Sequence, residues 1–138
     1  MPNESLVQTI KQIVALAREG NLDESYKRYA QLFGSREFAQ HKPEDQRQAL
    51  RLMILAKGVP ETATPRMLEA HRAAIAALTQ LVAAHGEPAD HELLGLSHMA
   101  CGDEDSASKA FRAGLTIERE RNPQSDLCGA LMKRVSLL

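Results

Sequence analysis

The sequence has no tryptophan, and only three phenylalanines and two tyrosines in 138 residues. Side chains that could stack on nucleic-acid bases are therefore scarce. The formal net charge of −1 supplies no basic excess for phosphates, so nucleic acid is not an expected partner. Cysteine is nearly absent. Cys101 and Cys128 stand far apart inside helical patterns, which fits buried thiols in a reducing compartment rather than a disulfide framework. No long hydrophobic run occurs either. The longest apolar stretch, Ala73 to Ala84, is interrupted by Thr79 and Gln80 and is too short to span a bilayer. Met1-Pro2-Asn3-Glu4-Ser5 lacks a basic region followed by an apolar core, so no secretory signal is expected and the cytoplasm is the default.

What is present favours helices. Apolar residues make up 43% and charged residues 25%, and Ala and Leu supply much of the apolar part. A chain of this length reads as a single domain, 1–138, able to bury roughly two-thirds of its unfolded surface. Punctuation divides it into seven helices. Ser5 with Gln8 fits a capping box, and Leu6, Ile10, Ile13 and Ala17 follow at helical spacing up to Gly20-Asn21. Asp23 opens a second helix, with Tyr26, Tyr29 and Phe33 on one stripe. Gly34-Ser35 breaks it, and Arg36 to His41 reads as a short irregular piece. Pro43 begins a third helix that runs to about Lys57 and is apolar nearly all round, so burial on two sides is expected. Thr64-Pro65 starts the fourth, with Leu68, His71, Ile75, Leu78, Val82 and His85 as its stripe, and Gly86 and Pro88 stop it. Asp90 caps a fifth helix that ends at Gly102. The sixth spans about Glu104 to Arg121, and Ser125 starts the last, with Leu127, Leu131 and Val135 on one face. No strand is expected. Short connections predict antiparallel helix hairpins.

Within these helices the stretch His91-x2-Leu94-Gly95-x2-His98, followed by Ala107-x3-Phe111, resembles the tetratricopeptide repeat pattern W-x2-L-G-x2-Y, then A-x3-F. Leu94, Gly95, Ala107 and Phe111 match in residue and spacing, and the turn Ala100-Cys101-Gly102-Asp103 is similar to the family's turn. His91 and His98 depart from the family's aromatic positions, Gly114 stands where a small Ala is usual, and the closing proline comes late, at Pro123. The turn Arg18 to Asp23 and Ser25-x3-Tyr29 form a second, weaker match. Gly20 and Gly102 are 82 residues apart, where two repeats of about 34 would give about 68. The surplus is assigned to the middle pair of helices. The resemblance thus implies an all-α array of three repeats, about 6–41, 43–86 and 89–121, with 125–138 as the capping helix that such arrays need.

Little in the sequence points to chemistry. His98 and Cys101 share a helix face, but His91 lies too far along to join them on one ion, and no further ligands stand nearby. No metal or other cofactor is expected. His71 and His85 fall on the stripe of their helix and read as interface histidines. Glu104 and Asp105 suit the positive end of a helix dipole, and Glu118-Arg119-Glu120-Arg121 reads as a solvated helix end. No nucleophile motif, phosphate loop or paired-carboxylate arrangement is legible, so an enzyme is not expected.

Arrays of this kind line a concave groove with the first helix of each pair. The Leu94-Gly95 register turns Leu96 and Met99 toward it, with Glu92 beside them. Counting from Gly20 gives Val14 and Arg18 similar places. Setting Leu50 in the glycine's position adds Arg47, Arg51 and Ile54. The family's carboxylate clamp is not expected, because Ile10 and Val14 hold its places. A largely apolar groove with arginines suggests a partner segment such as an amphipathic helix or an acidic-flanked extended piece. The alternative is that Leu96 and Met99 are covered by the capping helix or by a second copy in a homodimer. The resemblance implies an adaptor or scaffold module. A small chaperone for a secreted or assembly client and a self-associating structural subunit are the other readings.

Overall fold

The computed structural model describes residues 2–138, with side chains from residue 5 onward, and among them there are helices and no strands. Eight helices follow in order: α1 (Pro2–Arg18), α2 (Leu22–Phe33), α3 (Arg36–Gln40), α4 (Pro43–Ile54), α5 (Pro65–His85), α6 (Pro88–Ala100), α7 (Glu104–Arg121) and α8 (Asp126–Ser136). None is long and apolar enough to cross a membrane. The chain divides into two compact units, Met1–Ala77 and Leu78–Leu138, and the division falls inside α5.

Several sequence expectations need correction. The described residues form eight helices, not seven, because 36–40 is helical: Ser35 Oγ accepts from the Phe38 amide at 3.3 Å and so caps α3. α1 begins at Pro2 rather than at Ser5. α4 stops at Ile54 rather than near Lys57. α6 starts at Pro88, which occupies the first helical position, where its missing N–H has no bond to lose. Asp90 is thus inside the first turn and is not the cap.

In the first unit, α1 and α2 form a hairpin. Gly20 adopts φ +86°, its amide bonds to the Ala17 carbonyl, and the Asn21 amide reaches the Leu16 carbonyl at 2.9 Å. These two bonds satisfy carbonyls left over at the helix end, and a Cβ at this φ would be strained. Ser25 Oγ donates to the Ile13 carbonyl at 3.0 Å, which ties the two helices where Ile13 is fully buried. A run of rings extends this core: Tyr29 stacks on Phe33 at 5.5 Å, and Phe33 meets Phe38 edge-on at 5.2 Å. Buried Gln46 of α4 donates to the His41 and Ala39 carbonyls at the end of α3, so α4 is fastened to the chain that precedes it.

The second unit repeats the device. Gly102 adopts φ +76°, its amide bonds to the Met99 carbonyl, and Asp103 N–H reaches the His98 carbonyl at 2.9 Å. Asp103 then caps α7 by accepting from the Ser106 amide. α6 and α7 cross closely. A Cβ placed on Gly95 would lie 2.3 Å from the Phe111 ring, and one on Gly114 would lie 2.9 Å from His91 Cβ. α8, capped by Ser125, closes this unit. Cys128 and Leu131 complete a core with Ala107, Phe111 and Leu115, and Leu96, Leu127 and Val135 pack against it. The pair α4 and α5 makes no comparable close crossing.

Several helix boundaries in the two units recur at a constant separation. α1 ends at Arg18 and α6 at Ala100; α2 starts at Leu22 and α7 at Glu104; α4 ends at Ile54 and α8 at Ser136. Each pair is 82 residues apart, like the two turn glycines. Buried positions correspond as well: Ile13 with Gly95, Ser25 with Ala107, Tyr29 with Phe111, Phe33 with Leu115, Gln46 with Cys128 and Ala49 with Leu131. The 82-residue spacing thus relates the ends of α1, α4 and the start of α2 to those of α6, α8 and α7. α3 is the piece left where Gly34-Ser35 interrupts what runs on unbroken as α7.

Candidate functional site

The candidate site lies in the first unit, between α1 and α4. Leu52 stands between two clefts there. One, of about 420 Å³, is lined by Val14, Ala17, Arg18, Tyr26, Tyr29, Leu52, Met53, Ala56, Lys57, Gly58 and Val59, among others. The other, of about 330 Å³, is lined by Leu6, Val7, Ile10, Lys11, Asp45, Gln48, Ala49 and Leu52. Val7 is 48% exposed, Leu52 49% and Val59 44%. Single exposed aliphatics are ordinary on a protein surface, whereas three along one seam, over an apolar floor, form a patch.

Local sequence explains the seam. On α1, Val7, Ile10, Val14 and Ala17 recur at helical spacing on a face distinct from that of Ile13, which is fully buried. On α4, Gln46, Ala49, Leu50 and Met53 form the buried stripe. Asp45, Gln48, Leu52 and Ala56 flank that stripe on the α1 side. Burial raises the pKa of both tyrosines. For Tyr29 burial and, after it, the neighbouring Tyr26 push the value up to about 12, so its hydroxyl keeps its proton at any physiological pH.

The residues expected from the sequence fall in three groups. Val14, half-buried, and Arg18, exposed, line the larger cleft together. Arg47, Arg51 and Ile54 do not line either cleft. They lie on the opposite flank of the buried stripe of α4, because the helix is turned so that Ala49 and Met53 as well as Leu50 are covered. Glu92, Leu96 and Met99 belong to the second unit. There Glu92 accepts from Arg134 Nε of α8 at 2.8 Å, and Arg134 also sits 5.9 Å over the Phe111 ring. Leu96 packs on the core that α7 and α8 build, and Met99 remains 39% exposed. α8 thus occupies part of the α6 face that the resemblance assigned to a groove.

Leu52, Lys57, Val59, Val7 and the two tyrosines were not assigned to the groove from the sequence. The signal that could have found them is the 82-residue period: aligning α4 with α8 puts Ala49 over Leu131 and so sets the phase of α4.

Elsewhere the titratable groups are held by packing. His71 is buried, which lowers its pKa. His91 is lowered by burial beside Gly114, and Asp90 opposes the shift. The hydrogen bonds from Ser106 hold Asp103 below the usual carboxylate range. His98 Nδ1 lies 4.0 Å from that carboxylate. Among the described residues no three His, Cys, Asp or Glu side chains converge as metal ligands would. No family model matches the chain, and neither a curated protein nor a solved structure does.

Proposed function

We propose that this chain is a tetratricopeptide-like, non-enzymatic interaction module of the cytoplasm, in which the seam between α1 and α4 receives a segment of a partner protein. The observation that carries the reading is the apolar surface around Leu52, open on both sides along one helix pair. The hairpin turns at Gly20 and Gly102 and the close Gly95–Phe111 crossing support the family likeness. Apolar side chains left half in water are an energetic liability that a partner removes; about 25 cal/mol is gained per Å² of apolar surface covered. A groove on stacked helix pairs suits a helix or an extended peptide.

The test is co-purification with tagged wild-type chain against a Val7→Glu, Leu52→Glu variant. Both side chains are about half exposed, so the expected result is a folded variant with nearly unchanged far-ultraviolet circular dichroism and melting temperature. It should lose the partner, because an uncompensated carboxylate would be buried in the complex. Retention of the same partners by the variant removes the groove from the reading. Conversion of a dimer to a monomer without loss of a heterologous partner assigns the seam to self-association.

A further inference from the structure

The 82-residue correspondence supplies an internal comparison at the seam itself. Glu92 and Arg134 of the second unit correspond, 82 residues earlier, to Ile10 and Leu52 of the first. The α6–α8 seam is closed by the 2.8 Å ion pair, with Arg134 also over the Phe111 ring. The α1–α4 seam has two aliphatic side chains in those places, and Leu52 stays open beside Tyr29, the counterpart of Phe111. Charge at this seam is gathered at one end. Arg18 and Lys57, both exposed, line the larger cleft, and no acidic side chain lines it. At the other cleft Lys11 and Asp45 offset each other.

We infer that the occupant is a partner-protein segment carrying one large apolar side chain next to acidic residues. This rests on the protein-binding reading above. The apolar side chain seats between Val14, Tyr29, Leu52 and Val59, in a cleft of a volume ordinary for binding sites, about 420 Å³. Its acidic neighbours meet Arg18 and Lys57. Cations beside a low-dielectric wall act on a carboxylate more strongly than the same cations in open water. A basic segment would meet like charge there. Buried Tyr26 and Tyr29 belong to the same wall.

The experiment is selection of a random displayed peptide library on the immobilised full chain, with the Leu52→Glu variant as the counter-target and Val59→Glu as a second should Leu52→Glu lose its fold. The expected result is enrichment, on the wild type only, of peptides with a large apolar residue beside Asp or Glu. An enriched peptide, labelled and followed by fluorescence anisotropy, should bind Arg18→Glu, Lys57→Glu about tenfold or more weakly, with a flatter salt dependence. Enrichment of neutral or basic peptides on the wild type only overturns the acidic assignment and leaves the groove standing. Equal enrichment on the counter-target, or none on either, overturns the groove and this inference with it.

Discussion

Gly95→Ala tests the packing of the second unit with one methyl group. The added Cβ would lie 2.3, 2.6 and 2.7 Å from three carbons of the Phe111 ring. Favourable carbon–carbon contact is near 3.5–4.0 Å, so more than about 1 Å must be found. Phe111 is 2% exposed, and Ala107 and Leu131 around it are fully buried, so the ring has no open side to move toward. α6 and α7 must separate instead. Overpacking of this kind costs about 1–3 kcal/mol, sometimes more. Against it stands the gain from replacing glycine inside a helix, about 1 kcal/mol. With the ring enclosed and the overlap above about 1 Å the upper part of that range, about 2–3 kcal/mol, applies, so the expected net loss is about 1–2 kcal/mol, read as a lower midpoint in urea denaturation followed by far-ultraviolet circular dichroism. Gly129→Ala in α8 is the matched control. Nothing lies within 4 Å of the Cβ it would add, so only the helix gain remains and stability should rise by about 0.5–1 kcal/mol. Gly95→Ala with stability equal to or above the wild type would refute the close crossing. A Phe111→Leu background should shrink the Gly95→Ala loss, since the two sites are coupled through that ring.

Leu131→Ala removes a fully buried side chain from the α7–α8 core and should cost about 2–5 kcal/mol in the same denaturation assay; a loss under about 1 kcal/mol would show that α8 is not part of the core. The Glu92–Arg134 pair has side chains 14% and 34% exposed, and its coupling in a double-mutant cycle should exceed that of Arg66–Glu69, at 53% and 45% for the acid and the base. Acidification should destabilise the protein through His71. Its folded pKa is lowered by burial below the ordinary 6.5, so the unfolded chain binds the extra proton first and stability falls as pH drops below about 6.5 toward the folded value. A His71→Gln variant should lose part of that fall in melting temperature, and an identical pH profile would rule His71 out as its source.

Seven of the helices and several of their stops were legible because they depend on neighbours in sequence. Gly20, Gly102, Ser125 and Thr64-Pro65 act on the backbone next to them, and each does in the structure what its chemistry requires. The short helix at 36–40 was hidden because five residues carry too little periodicity, and it depends on Phe38 finding Phe33. The phase of α4 was beyond the sequence for a related reason. Leu50, Leu52, Met53, Ile54 and Leu55 surround the helix with apolar side chains, so no single stripe names the buried face. Tertiary packing buried Gln46, Ala49, Leu50 and Met53 and left Leu52 at the seam. The separation of 82 residues was in the sequence from the start, carried by two glycines. The correspondence it sets between α1, α2, α4 and α6, α7, α8 depends on pairing Ser25 with Ala107, Gln46 with Cys128 and Ile10 with Glu92. Those pairs share a place rather than a side-chain type, and only the tertiary structure assigns places.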